Sequence, residues 1–422
     1  MIDLQKLREN PQLFKDACTK KGIRFDIDAF LELDTQRKQE LAQFEELKAI
    51  QNKVSKELPK LQGDQKQAKL AEMKELAEKL KKLSTQEKEV EARWKAEQLK
   101  IPSLPSAQVP DGKEDSENVE IRTIGELPTF NFKPKSHIEL GSALGIIDIE
   151  RGVKIAGARN YFLIGDGMRL QHALLQYSLD KLCTKGYTPM DPPHIVTFEA
   201  MMGTGYFPGG EDQSYHLDER DDKYLIGTSE VSIASFHMNE ILASSELPKR
   251  YCGYSPCYRR EAGTYGKDTA GLYRIHQFYK IEQVVICEAS EQTSSSLHAE
   301  LLGNAEELMQ DLKLPYRVVN VCGGDLGQGQ VFKNDIETWM PSRESYGETH
   351  SCSTFHDYQA RRLKLRYKNE NGKNTFCHTL NNTLVASPRI LIPILEMYQN
   401  EDGTITIPEV LRPYMGGKDR IG

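Results

Sequence analysis

The chain has 422 residues, a net charge of −7 and eight cysteines. That length buries a large core and leaves room for two domains, while the acidic balance excludes a surface made for nucleic acid throughout, so that any RNA contact is confined to patches. No C-x-x-C pair occurs, and the cysteine spacing suits neither a zinc site nor a disulfide framework but rather reduced thiols of a cytoplasmic protein. The opening MIDLQKLREN lacks the apolar centre of a signal peptide, and no run of apolar residues reaches the length of a membrane span.

In chain order, the first strong signal is helical. From about residue 30 to 99 glycine is almost missing and Lys, Glu, Gln, Leu and Ala dominate. Phe44, Leu47, Val54 and Leu58 recur at three- and four-residue steps, with Gln51 interrupting. Met73, Leu76, Leu80, Leu83, Val90 and Trp94 form a second run, interrupted by Glu87. This spacing is a coiled-coil seam. Pro59 and Gly63 break it between the runs, which predicts a hairpin of two antiparallel helices about 45 Å long. Lys48, Lys53, Lys56, Lys60, Lys66 and Lys69 gather toward the tip, with acidic residues interspersed. Taken alone, the periodicity most commonly marks a dimerisation coiled coil, or an inert spacer, and the charge pattern is weak evidence for RNA.

A proline-containing stretch, Ile101-Pro102-Ser103-Leu104-Pro105-Ser106 to Val109-Pro110-Asp111-Gly112, reads as a linker. Beyond it glycine, aromatic and β-branched residues rise, which predicts an α+β domain built on an antiparallel sheet.

The most informative stretch lies within that domain. Cys257-Tyr258-Arg259-Arg260-Glu261 and Gly271-Leu272-Tyr273-Arg274-Ile275-His276-Gln277-Phe278-Tyr279-Lys280-Ile281-Glu282 read as two strands joined by a loop. With period two, Arg259 and Glu261 share a face, and so do Arg274, His276, Phe278, Lys280 and Glu282. Tyr273, Ile275, Tyr279 and Ile281 fall on the other, apolar side. Guanidinium groups, carboxylates and one ring on a common face suit a nucleotide. The chain has no G-x-x-x-x-G-K-[ST] loop, strand-linked G-x-G-x-x-G or G-x-S-x-G elbow. A nucleotide would therefore be held by side chains on a sheet.

These residues resemble the class II seryl-tRNA synthetases of the bacterial and eukaryotic-cytosolic type, over essentially the whole chain. The start, Met1-Ile2-Asp3-Leu4 with Leu7-Arg8-Glu9-Asn10-Pro11, and the end, Leu411-Arg412-Pro413-Tyr414-Met415, are similar to that family's. Three class II signatures follow in order. The first is the helix with Leu174-Leu175-Gln176-Tyr177-Ser178-Leu179-Asp180 leading to Pro192-Pro193; the second is the Arg259 to Glu282 segment. The third is Leu380-Asn381-Asn382-Thr383-Leu384-Val385-Ala386-Ser387-Pro388-Arg389, opening a helix. Asn382 and Leu384 stand where glycine is frequent in the class.

The resemblance implies a class II catalytic domain over residues 111–422 and an N-terminal tRNA-binding domain over 1–110, its coiled-coil arm at about 30–99. It implies activation of L-serine with ATP to seryl-adenylate, then transfer to the 3′ end of tRNA(Ser), with tRNA(Sec) left open. By the same resemblance Thr228, Ser229, Glu230, Glu282, Asn381 and Thr383 bind serine. The alternative for Thr228-Ser229-Glu230 is an N-cap before a helix. Arg259 and Arg389 are catalytic, and Arg259, Arg260, Glu261, Arg274, Phe278, Glu348, Thr349, His350, Ser351 and Arg389 bind ATP. Glu348 and Ser351 hold Mg²⁺, and zinc is not expected. The loop 262–270 closes over ATP, and the enzyme is a cytoplasmic homodimer with no membrane contact.

Overall fold

Asp26 starts the first long helix, α1 (Ile27–Glu57), its carboxylate accepting from the Ala29 amide. A single 3-10 turn over Leu58–Lys60 follows, and Gly63, at φ +60°, opens α2 (Gly63–Gln98). Trp94 Nε1 donates to Asp34 Oδ1 at 3.1 Å, and Arg37 meets Glu91 at 3.1 Å. The end of α2 therefore lies beside the start of α1, and the pair is an antiparallel hairpin. Its seam is the expected one: Val54, Leu80 and Trp94 are buried, while Phe44, Leu47, Leu76, Leu83 and the interrupting Gln51 and Glu87 are half-buried. The lysines toward the tip, Lys48, Lys53, Lys56, Lys60 and Lys66, are exposed.

This computed structural model describes residues 1–218, 220–263 and 271–422, and the chain falls into two units, 1–102 and 103–422. In the second unit the labelled elements are β1 (Val119–Ile124), α3 (Asp166–Thr184), β2 (Thr188–Met190), β3 (Lys249–Tyr258), β4 (Gln277–Cys287), α4 (Glu291–Asp311), β5 (Tyr316–Asn320), β6 (Phe332–Met340), β7 (Ser345–His356), β8 (His378–Ser387) and α5 (Leu391–Met397). Eight strands form one sheet in the order β1-β5-β6-β7-β8-β4-β3-β2. Every pairing is antiparallel except that of β2 with β3. Alternation along the strands gives the sheet an apolar face and a polar face. On the apolar face, Ile281, Ile336 and Val385 join one core with Leu174 of α3, Leu308 of α4 and Ile394 of α5. The opposite face carries Glu282, Asp335 and Thr383.

Two bulges alter the register on that polar face. Ile336 pairs with His350 but Glu337 with Glu348, leaving Thr349 as the extra residue of β7. Ile281 pairs with Val385 but Glu282 with Thr383, leaving Leu384 as the extra residue of β8. Leu384 is fully buried in the apolar core, so a large side chain fits where class II chains often carry glycine. Asn382 also faces the core side, where its amide donates to the Leu301 carbonyl of α4 at 2.7 Å.

Candidate active site

The central strands are shorter than the alternation predicts. β3 stops at Tyr258 and β4 begins at Gln277, so Arg259 to Glu261 and residues 271–276 are irregular backbone. Period two does not extend across them. Tyr273 and Ile275, expected on the apolar side, line the cleft instead. Glu261 has φ +51°, and this left-handed turn brings it into the cleft beside Arg259, while Arg260, expected with them, is exposed.

The cleft, roughly 490 Å³, gathers the expected nucleotide groups. Arg259 Nε donates to the Gly227 carbonyl at 3.2 Å, and its guanidinium lies 5.2 Å from the centre of the Phe278 ring. Arg274 faces Glu261 at 3.5 Å. Arg389 lies in the turn between β8 and α5 rather than within a helix. It donates to the carbonyls of Tyr273 at 3.1 Å and Glu348 at 3.0 Å, and stacks 4.4 Å from the Tyr273 ring centre. Two guanidinium groups, Arg259 and Arg389, thus line one pocket that has an aromatic wall, and Arg274 stands behind Glu261 at its edge. The loop 262–270, expected to close over ATP, falls largely on 264–270, outside the described residues.

The residues expected to bind serine contribute an adjoining polar floor. Glu282 and Lys280 make a buried ion pair. Thr383 Oγ1 lies 3.4 Å from both Lys280 Nζ and Glu282 Oε2. Asn381 shares their face, since Asn381 pairs with Val284, two residues on from Glu282. Thr228 and Glu230 do not share a strand: the helix Glu230–Ala234 begins there, as the N-cap alternative has it. Ser229 occupies the cap position without a side-chain capping bond, and its hydroxyl is fully buried against Gly253. Burial and the nearby Glu282 charge raise the Glu230 carboxyl to about 7, against the opposing influence of Gln359, Lys280 and Arg259.

Glu348 and Ser351 stand three apart, which in a regular strand puts them on opposite faces. The bulge at Thr349 brings them together, because their partners Glu337 and Asp335 are themselves two apart. His350, expected among the ATP-side residues, pairs with Ile336 and turns into the core, where it bonds Thr349 at 2.8 Å. Burial lowers its imidazole to about 4. Partial desolvation opposes ionisation of Glu348, whose side chain is half exposed at the cleft, yet Arg389, Lys333, Arg259 and Arg274 together hold its carboxyl below the usual range. Asp335, which sequence reasoning missed, lies opposite Ser351; its Oδ2 is paired with the Lys333 ammonium at 3.0 Å, and its Oδ1 is buried without a hydrogen-bond partner. Two carboxylates and a hydroxyl with an orphaned oxygen fit Mg²⁺, which takes few protein ligands when substrate phosphates supply the rest. Among the described residues no cluster of three or more His, Cys, Asp or Glu forms a metal cage. Lys280 stood on the predicted face without a role. Gln359, which touches Glu230, carried no signal at a separation of 129 residues.

Two family models match the chain: "Seryl-tRNA synthetase N-terminal domain" over residues 1–105 and "tRNA synthetase class II core domain (G, H, P, S and T)" over 215–398. The serine–tRNA ligase of Deinococcus radiodurans is 43% identical over 422 residues, covering 100% of this chain and 99% of that protein. Seryl-tRNA synthetase of Pyrococcus horikoshii, solved with ATP, superposes with a TM-score of 0.90 at 37% identity, covering 100% of this chain and 99% of the other. The cytoplasmic serine–tRNA ligase of Naegleria fowleri, solved with AMP, gives 0.86 at 34%, covering 100% of this chain and 98% of the other.

Proposed function

The chain belongs to the class II seryl-tRNA synthetases, and from that premise we propose how its residues divide the work. It catalyses two successive steps: L-serine and ATP give seryl-adenylate and pyrophosphate, and the seryl group then passes to the 3′ end of tRNA(Ser). The observation that carries the assignment of roles is the convergence of Arg259, Arg389 and Phe278 on one cleft, with the Lys280–Glu282–Thr383 group at its floor.

In the first step the serine carboxylate attacks the α-phosphorus in line, and pyrophosphate leaves. No protein nucleophile is needed, so the protein contributes position and charge. Arg259 meets the α-phosphate and the charge that builds on it. Phe278 stacks under the adenine, and Glu261 accepts from its amino group. Arg274 and Arg389 hold the outer phosphates. Glu348 and Ser351, with Asp335 beside them, would hold Mg²⁺, which neutralises phosphate charge when bound. Glu230, Glu282 and Thr383 receive the donors that serine brings, an ammonium and a hydroxyl.

A pocket that pairs with the hydroxyl rejects alanine by roughly 10⁴–10⁵, because its polar groups would be left unsatisfied. The helical arm, with its exposed lysines, takes the tRNA. Val153, Ile155, Phe162, Ile164 and Met168 expose apolar surface within sixteen residues, with Ile155 at 72%, and this supports a homodimer interface there. Among the described residues no helix is long and apolar enough to cross a membrane. Pyrophosphate exchange with each amino acid in turn tests the reading. Serine is expected to stimulate exchange, with alanine and threonine near background; equal stimulation by either would overturn it.

A further inference from the structure

Gln359 lies on the helix Tyr358–Leu363 and is almost wholly buried. Its amide nitrogen donates to the Thr204 carbonyl at 3.0 Å and to Glu230 Oε1 at 2.7 Å. Its amide oxygen accepts from the Thr379 hydroxyl of β8 at 2.6 Å. The orientation is over-determined. A carbonyl accepts only, so the nitrogen must face Thr204, and Thr379 then meets the oxygen. The second N–H is left aimed at Glu230 alone. The Glu230 amide is tied in turn to Thr228 Oγ1 at 3.3 Å.

We infer that Gln359 is a positioning residue for serine recognition: it clamps one oxygen of Glu230 and so presents the other to the substrate's donors. This rests on the reading of Glu230 as part of the serine pocket. The chemistry explains why a neutral amide occupies the position. A lysine or arginine there would neutralise Glu230 and compete with the substrate ammonium, whereas an acid would repel the carboxylate. An amide orients the charge without cancelling it. Glu282 and Lys280 of β4, Arg259 and the Tyr206 phenol also act on Glu230 or share its surroundings. Lys280 and Arg259 favour its ionised form through their charge, whereas Gln359 does so as a neutral hydrogen-bond donor.

The test measures serine and ATP dependence of pyrophosphate exchange in the full chain, over pH 6–9, for Gln359→Met, Thr379→Val and Glu230→Ala. Gln359→Met keeps the shape and removes the donors. It is expected to raise KM for serine by about 10- to 100-fold, the range for a hydrogen bond to a charged group, and to leave KM for ATP within about twofold. The pH rise in kcat/KM for serine is expected to move alkaline, because a bond favouring ionised Glu230 has gone. Thr379→Val is expected to act in the same direction by a few fold, and it decides the matter alone if Gln359→Met does not fold. If Glu230→Ala loses serine affinity while both other variants keep the parental KM and pH profile, the inference fails. Equal rises in both KM values would reduce Gln359 to a structural role and likewise overturn it. If Glu230→Ala itself leaves KM for serine unchanged, it is the assignment of the pocket that falls.

Discussion

Replacing Arg259 by alanine removes the cation on which the first step is argued to depend. In the structure Nε is anchored to the Gly227 carbonyl at 3.2 Å, which keeps the two terminal nitrogens for the cleft. The Phe278 ring lies 5.2 Å from the guanidinium and limits its swing. A preorganised donor pair aimed at charge that builds in the transition state is worth about 3–4 kcal/mol, which is about 10²–10³ in kcat. The same cation helps hold the Glu348 carboxyl low and opposes the rise of Glu230. Its removal therefore also moves the pH rise of serine-dependent exchange alkaline, since both acids lose a stabilising positive charge. Arg259→Lys is expected to recover little, because a point charge cannot keep the Gly227 bond and face a phosphate with a fork at once. Pyrophosphate exchange at saturating serine and ATP measures the loss, and circular dichroism checks that the sheet is intact. A folded Arg259→Ala protein with kcat within about fivefold of the parent would refute the reasoning.

Excising residues 41–90 and joining the helices by a short turn is expected to leave serine-dependent exchange near its parental level and to abolish charging of tRNA(Ser); parallel loss of both would make the arm a structural element. Glu348→Gln and Ser351→Ala are each expected to raise the Mg²⁺ concentration for half-maximal exchange by about tenfold, in line with loss of one ligand or its orientation. An unchanged Mg²⁺ titration in both would move the cation elsewhere.

The hairpin was legible because a two-helix arm has one buried stripe, and its spacing is written directly in the sequence. Even the interrupting Gln51 and Glu87 sit on the predicted seam. Phe278, Lys280 and Glu282 were legible for the same reason, since they lie on one regular strand. Alternation failed beyond the strand ends. Tyr273 and Ile275 joined the cleft because residues 271–276 are turn, and Glu261 arrived through a left-handed residue that no periodicity marks. Asp335 and Gln359 were invisible for a different reason. Each reaches the site through register or helix packing, and neither belongs to a motif with its partner.

The two bulges connect these successes and failures. Motif residues three apart, Glu348 with Ser351 and Thr383 with Ala386, cannot share a face of an ideal strand, yet both pairs belong to the polar face. An extra residue in each strand supplies the missing step. In β7 the extra residue is Thr349, whose hydroxyl bonds Thr338 at 2.7 Å and the Ile336 carbonyl at 3.2 Å, so the bulge is held by its own side chain. In β8 it is Leu384, anchored instead by burial in the core. Glycine at that position would permit the bend, but the leucine adds apolar surface worth about 2 kcal/mol to the bulged arrangement. In this chain the burial of Leu384, rather than a small residue, holds the irregularity. The irregularity, more than the identity of the small residue, is what puts Thr383 beside Glu282.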